Sequence, residues 1–220
     1  VKLGVSVQHH PSRAYLLARL LPRLGTDYRV VIDPMAAHPF RSAWHAYFAC
    51  LESLALGDTH LLIIQDDAIP CDGYIDALHS AISSQPDRVI VTCVCGNAKR
   101  NCRRMYLACD AGYSFAELDA NEWCPTVATC YPAEVVYRLR DWLARRTMPE
   151  FQQADDSVIG EFLLSSGIGA LMTVPSLVDH PDDAVSLVAP DDTRYGLSPE
   201  RSACCYIGDC DPSSIVWRAA

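Results

Sequence analysis

Residues 60–70, His-Leu-Leu-Ile-Ile-Gln-Asp-Asp-Ala-Ile-Pro, decide the fold. The segment Leu61–Ile64 is apolar without alternation, as expected of a strand covered on both faces of a sheet. It runs straight into Gln65-Asp66-Asp67. In open α/β sheets ligands bind beyond the carboxyl ends of the strands, where this acid pair falls. Adjacent carboxylates raise each other's pKa unless a cation is present. Mg²⁺ and Mn²⁺ favour oxygen ligands, taking one or two carboxylates plus substrate phosphates. The segment therefore predicts a divalent ion bridging to a diphosphate. The alternative is a polar strand end with Asp66 capping a turn.

Upstream, residues 3–7 read as a short strand that stops at Gln8-His9-His10-Pro11-Ser12-Arg13. Leu16, Leu17, Leu20 and Leu24 share one face of a helix over 13–24, which Gly25 ends. Residues 28–32 give a second strand. Trp44, Tyr47, Phe48, Leu51, Leu54 and Ala55 then recur at helical spacing, with Ser42 as N-cap. Downstream, the pattern predicts a helix over 73–83, a buried strand over 88–94 and a long polar loop over 96–131. A helix over 132–146, a helix opened by Asp155-Asp156 and a strand over 170–174 follow. Alternating strand and helix indicate a mostly parallel α/β sheet in one domain, 1–187, with a C-terminal extension over 188–220.

Half of the 220 residues are apolar and a fifth are charged, as in a globular protein with a full core. No apolar run reaches the roughly 18–20 residues that cross a bilayer. The start, Val1-Lys2-Leu3-Gly4-Val5, lacks the apolar region of a secretory signal, so a cytoplasmic protein with no membrane partner is expected. A net charge of −9 argues against broad nonspecific nucleic-acid binding. The eleven cysteines include no Cys-x-x-Cys pair. Cys50 and Cys93 fall on apolar stripes and read as buried small hydrophobes. Cys204, Cys205 and Cys210 could hold a metal with one outside ligand, and a disulfide framework is not expected in a chain of this size.

Two later segments add chemistry. Asp155-Asp156-Ser157-Val158-Ile159-Gly160 puts two acids at a helix start, where the dipole favours negative charge. One can be an N-cap while the other serves as a general base. Val174-Pro175-Ser176-Leu177-Val178-Asp179-His180 leads a strand to a histidine, which is either structural or a metal ligand. Arg13 and Arg41 are candidates for diphosphate contact, against a reading as solvated surface arginines.

Together these segments resemble the GT-A fold glycosyltransferases, Rossmann-like enzymes that use nucleotide-sugar donors. Gln65-Asp66-Asp67 looks like their DXD-type motif with Gln at its first position, a departure that leaves Asp67, helped by Asp66, to hold the ion. Asp155-Asp156 is similar to the helix start of inverting members, which implies Asp156 as catalytic base and Asp155 beside it. His180 matches the late histidine that completes the metal site. More narrowly, Trp44, Gln65 through Cys71 and Val174 through His180 look like small glycosyltransferases of actinobacteria and their phages. The resemblance implies an inverting transferase using Mn²⁺ or Mg²⁺ and a nucleotide sugar, with UDP favoured. It assigns donor contacts to Gln8, His9, Arg13, Arg41, Trp44, Gln65 and Asp66, and metal contacts to Asp67 and His180. It also raises a hydroxylated base in phage DNA as acceptor, in a bacterial or phage-infected cell. The basic stretch Lys99-Arg100-Asn101-Cys102-Arg103-Arg104, with Tyr106, would line the acceptor side, with Arg138, Arg140, Arg145 and Arg146 extending it. Rival readings are a nucleotidyltransferase, a metal-dependent phosphohydrolase, or a degenerate nucleotide-binding module.

Overall fold

A computed structural model describes residues 1–25, 27–33, 39–122, 126–146, 155–181 and 201–218, with backbone alone for 39–44. The strands are β1 (Leu3–His9), β2 (Arg29–Ile32), β3 (His60–Gln65), β4 (Ile69–Pro70), β5 (Val89–Val91), β6 (Phe115–Glu117), β7 (Ala128–Pro132), β8 (Ala170–Thr173) and β9 (Val178–Asp179). The helices are α1 (Ala14–Leu24), α2 (Pro39–Leu51), α3 (Tyr74–Ser84), α4 (Lys99–Asp110), α5 (Ala133–Ala144) and α6 (Asp155–Ser166). A seven-stranded sheet runs in the order β2-β1-β3-β7-β5-β8-β6, and β4 pairs with β9 beside it. β7 and β6 run against the other strands, so the sheet is mixed and mostly parallel, flanked by helices in a Rossmann-like arrangement.

β3 explains why the sheet is covered twice. Leu61 and Ile63 face a core with Tyr47 and Leu51 of α2 and Val136 and Leu139 of α5. Leu62 and Ile64 face the opposite core with Leu20 of α1 and Leu78 and Ile82 of α3. Side chains alternate along a strand, so a run apolar at every position feeds both layers.

The long loop expected over 96–131 contains α4, β6 and the approach to β7. α4 buries Asn101, Cys102, Met105 and Ala108. That stripe opens on an amide and has only Cys102, Met105 and Ala108 as apolar residues, so it does not stand out among the surrounding basic residues. Asn101 donates to the Asp119 carbonyl at 3.4 Å and accepts from the Asp119 backbone N–H at 2.7 Å, which satisfies its buried amide. β6 has only three residues, too few to display a period.

Residues 201–218 are built into the fold rather than lying loose. The Cys204 N–H donates to the Val94 carbonyl at 2.7 Å, and the Gly96 N–H to the Ser202 carbonyl at 3.0 Å. Trp217 packs on Phe115 with ring centroids 5.2 Å apart. Cys50 and Cys93 are buried as expected, and among the described residues the cysteines are free thiols. Cys204 is buried with its Sγ 3.7 Å from that of Cys205, whereas Cys210 is exposed, so these three do not gather as a metal set. No described helix is long and apolar enough to cross a membrane.

Candidate functional site

β1 and β3 are parallel and in register, with Gln8 opposite Gln65. Their carboxyl ends therefore deliver His9-His10 and Asp66-Asp67 to the same edge. The chain turns at once, with the Ala68 N–H donating to the Gln65 carbonyl at 3.1 Å, and both carboxylates are buried. His9 Nδ1 lies 2.8 Å from Asp66 Oδ2, and the His10 backbone N–H donates to the same oxygen at 2.8 Å. After β1 a short 3-10 turn, Pro11–Arg13, brings Arg13 back over the acids. Its guanidinium donates to Asp67 Oδ2 at 2.6 Å and reaches Asp66 Oδ1 at 3.4 Å.

β9 supplies the next group. The buried His180 sets Nε2 at 3.3 Å from Asp67 Oδ2, while its Nδ1 lies 3.0 Å from the Pro181 carbonyl. Arg201, which sequence reading did not single out, brings a guanidinium nitrogen to 3.0 Å from His180 Nε2. Asp179 fixes both partners: its Oδ1 accepts from the His180 backbone N–H at 2.8 Å and from that of Ala203 at 2.6 Å. An antiparallel bridge between Cys95 and Ala203 seats the same segment. No motif marks Arg201, because its neighbours Ser202-Ala203-Cys204 carry no periodic signal.

Charges shape this cluster. Burial alone would raise the Asp67 carboxyl, but His180, Arg13 and Arg201 outweigh it and hold it well below the usual carboxylate range. Burial, with Asp67 alongside, pushes Asp66 up despite Arg13 and the His10 and His9 donors. Burial works to lower His180, and Asp67 reverses it, leaving the imidazole raised.

The helix pair sits differently. Asp155 is buried at the start of α6, and Asp156 is half-buried. Asp155 Oδ1 accepts the Asp156 N–H at 3.0 Å, and its Oδ2 lies 3.5 Å from the Gln65 amide nitrogen. Gln8 and Thr126 side chains also donate to Asp155. Gln65 thus turns away from the acids that follow it and serves Asp155. With only uncharged donors, burial raises Asp155, and burial plus the neighbouring Asp155 pushes Asp156 up to about 7.

The structure thus links Gln8, His9, Arg13, Gln65, Asp66, Asp67, Asp155, Asp156 and His180 along one sheet edge through these hydrogen bonds. The side chains of Arg41 and Trp44 lie outside the described residues.

The donor set does not fit a resident divalent ion. It offers two carboxylates and one imidazole, but Arg13 is bonded to both carboxylates, His9 and the His10 N–H hold Asp66, and an Arg201 guanidinium nitrogen stands 3.0 Å from His180 Nε2. Among the described residues no three His, Cys, Asp or Glu side chains gather as a metal set. The acids of 182–183 and 191–192 lie outside the described residues. Asp67 Oδ1 is buried with no hydrogen-bond partner among the described residues, leaving an acceptor for a ligand's donor.

No protein-family profile matches the chain, and no curated protein matches it. Among solved structures it is similar to the crystal structure of A197 from STIV, with 14% identity, a TM-score of 0.47 and coverage of 93% of this chain and 94% of that one. It is also similar to a glucose-1-phosphate thymidylyltransferase from Bacillus anthracis in complex with a sucrose. There the identity is 11%, the TM-score 0.42 and the coverage 78% of this chain and 85% of that one.

Proposed function

We propose that the chain is a nucleotide-sugar-dependent glycosyltransferase that moves a sugar from a nucleoside diphosphate to an acceptor hydroxyl, with inversion at C1. The reading is carried by one observation: at a single sheet edge, one acid pair is compensated by cations and the other is not. A general base works best with a pKa near the operating pH, and Asp156 is pushed up to about 7. In this reading Asp156 takes the acceptor proton as the acceptor oxygen attacks C1. The bond from C1 to the phosphate oxygen breaks, and its electron pair leaves with the diphosphate. Preorganised positive groups stabilise such developing charge, and Arg13 lies beside the strand-end pair to do so. Asp155 orients the base by accepting its backbone N–H. The end of β1, Gln8 and His9, faces the nucleoside, for which uridine is proposed.

A nucleotidyltransferase or phosphohydrolase of the two-metal type would need more converging acids than the described residues provide. A base in DNA as acceptor draws no support from α4. Arg100 and Arg104 both pair with Asp119, at 3.7 and 3.4 Å, and Glu122 accepts the Arg100 and Asn101 backbone N–H groups at 2.8 Å each. We therefore propose a hydroxyl acceptor without a nucleic-acid requirement.

The test is release of nucleoside diphosphate from a panel of nucleotide sugars, with binding followed by calorimetry. Slow release from one donor, abolished in Asp156→Asn with binding retained, is the expected result. Turnover of ATP with no nucleotide sugar bound would overturn the reading.

A further inference from the structure

The acid pair Asp66–Asp67 carries two negative charges, which a divalent ion would cancel. Two guanidinium groups and the His180 imidazole stand there instead, more cationic groups than carboxylates. Arg13 reaches both carboxylates, at 2.6 and 3.4 Å, and Arg201 brings a guanidinium nitrogen to 3.0 Å from His180, which itself lies 3.3 Å from Asp67. The two atoms best suited to bind an ion, Asp67 Oδ2 and His180 Nε2, are the atoms against which these guanidinium groups stand, at 2.6 and 3.0 Å. The arrangement is held from behind: Asp179 Oδ1 bonds the backbone of His180 and of Ala203, so His180 and Arg201 are set as one unit.

We propose that Arg13 and Arg201 form a metal-independent site for a diphosphate-class anion, with Arg201 delivered by the C-terminal segment as a positioning and charge-supplying residue. As applied to donor binding, the proposal rests on the transferase reading above; as an anion site it stands without it. Guanidinium groups pair with phosphate oxygens in fork geometry, which suits a diphosphate more than a point charge does. Asp67 Oδ1, buried and lacking a partner among the described residues, adds an acceptor for a hydroxyl carried beside the anion.

Inorganic pyrophosphate titrated into the intact protein, in EDTA and then in excess Mn²⁺, tests the site directly. Binding in EDTA is expected, with little gain from Mn²⁺. Arg201→Ala is expected to weaken it about 10- to 100-fold, the cost of losing charged hydrogen bonds, and Arg201→Lys to recover part of that loss. Arg19→Ala, exposed on α1, is the control and should bind like the parent. Thermal unfolding of each variant shows whether the fold is kept; should Arg201→Ala fail to fold, Arg201→Lys carries the comparison with a weaker but measurable loss. Pyrophosphate binding that requires Mn²⁺, or that is unchanged in the Arg201 variants, overturns the proposal while leaving the transferase reading standing. Pyrophosphate binding as expected, with no nucleotide sugar bound or turned over, upholds the anion site and overturns the transferase reading.

Discussion

Two Asp-Asp pairs meet at one edge of the sheet and have opposite surroundings. Asp66-Asp67 closes a strand and is enclosed by Arg13, His9 and His180, with Arg201 behind. Asp155-Asp156 opens a helix and meets Gln8, Gln65 and Thr126, which bring dipoles without charge. Burial acts on all four carboxyls in the same direction. The cations reverse it at Asp67, and nothing reverses it at Asp156. Environments that drive like groups apart in pKa divide labour between them. Here Asp67 holds charge, while Asp156 holds a proton near neutrality.

The largest effect that could break this contrast is on turnover. Asp156→Asn should lower the rate by about 10²- to 10⁴-fold, the usual worth of a general base, with donor affinity unchanged in calorimetry. With the base pKa at about 7, kcat/KM should fall tenfold per pH unit below neutrality and level off above it. A flat profile from pH 5 to 9 would remove Asp156 from that role.

Next comes Asp67→Ala, which leaves Arg13 and His180 facing each other without their shared carboxylate. Removing one partner of a buried ion pair costs about 3–5 kcal/mol, so the urea midpoint should drop sharply. The sign follows from linkage. Asp67 is held below its unfolded value of 3.8, so its contribution is present above that pH and is lost as pH falls toward the folded value. The stability gap between parent and variant should therefore narrow in acid.

The opposite sign is expected at the helix pair. A carboxyl raised from 3.8 to about 7 binds its proton more tightly in the folded chain, so it costs stability as pH rises through that window. Asp156→Asn should then stabilise the protein at pH 8 by about 1–2 kcal/mol, allowing for solvent around a half-buried group. Thermal unfolding of the inactive variant measures this, and a lower midpoint would contradict it. The smallest effect is sharpest in meaning: Gln65→Glu adds a charge beside Asp155 and should move the acid limb of the pH profile upward by less than about one unit.

Much of this was legible in the chain. The doubly covered β3 follows from an apolar run with no polar face, and α1 and α2 from leucine and aromatic stripes at helical spacing. The acid pair could be located because a strand end is a short, local signal. Three features were hidden for physical reasons. The buried stripe of α4 is built from Asn101, Cys102, Met105 and Ala108, too weak to outweigh four basic neighbours. Gln65 stands at the first position of the DXD-like motif and is assigned to the donor by resemblance, yet its partner Asp155 stands 90 positions away. Arg201 reaches the site through pairing of Ala203 with Cys95, and no local pattern encodes a contact across such a separation.

One further consequence lies in the direction of β7, which enters the sheet between β3 and β5 from the opposite end. Strands lie about 4.8 Å apart, so the outgoing ends of β3 and β5 are separated by about 10 Å. The incoming residues Thr126 and Val127 fill that gap: the Val127 carbonyl accepts the Gln65 backbone N–H at 2.8 Å, and the Gln65 amide lies 3.4 Å from the Thr126 hydroxyl. A reversed strand thus places an incoming hydroxyl, that of Thr126, between two outgoing strand ends without breaking the ladder beneath it.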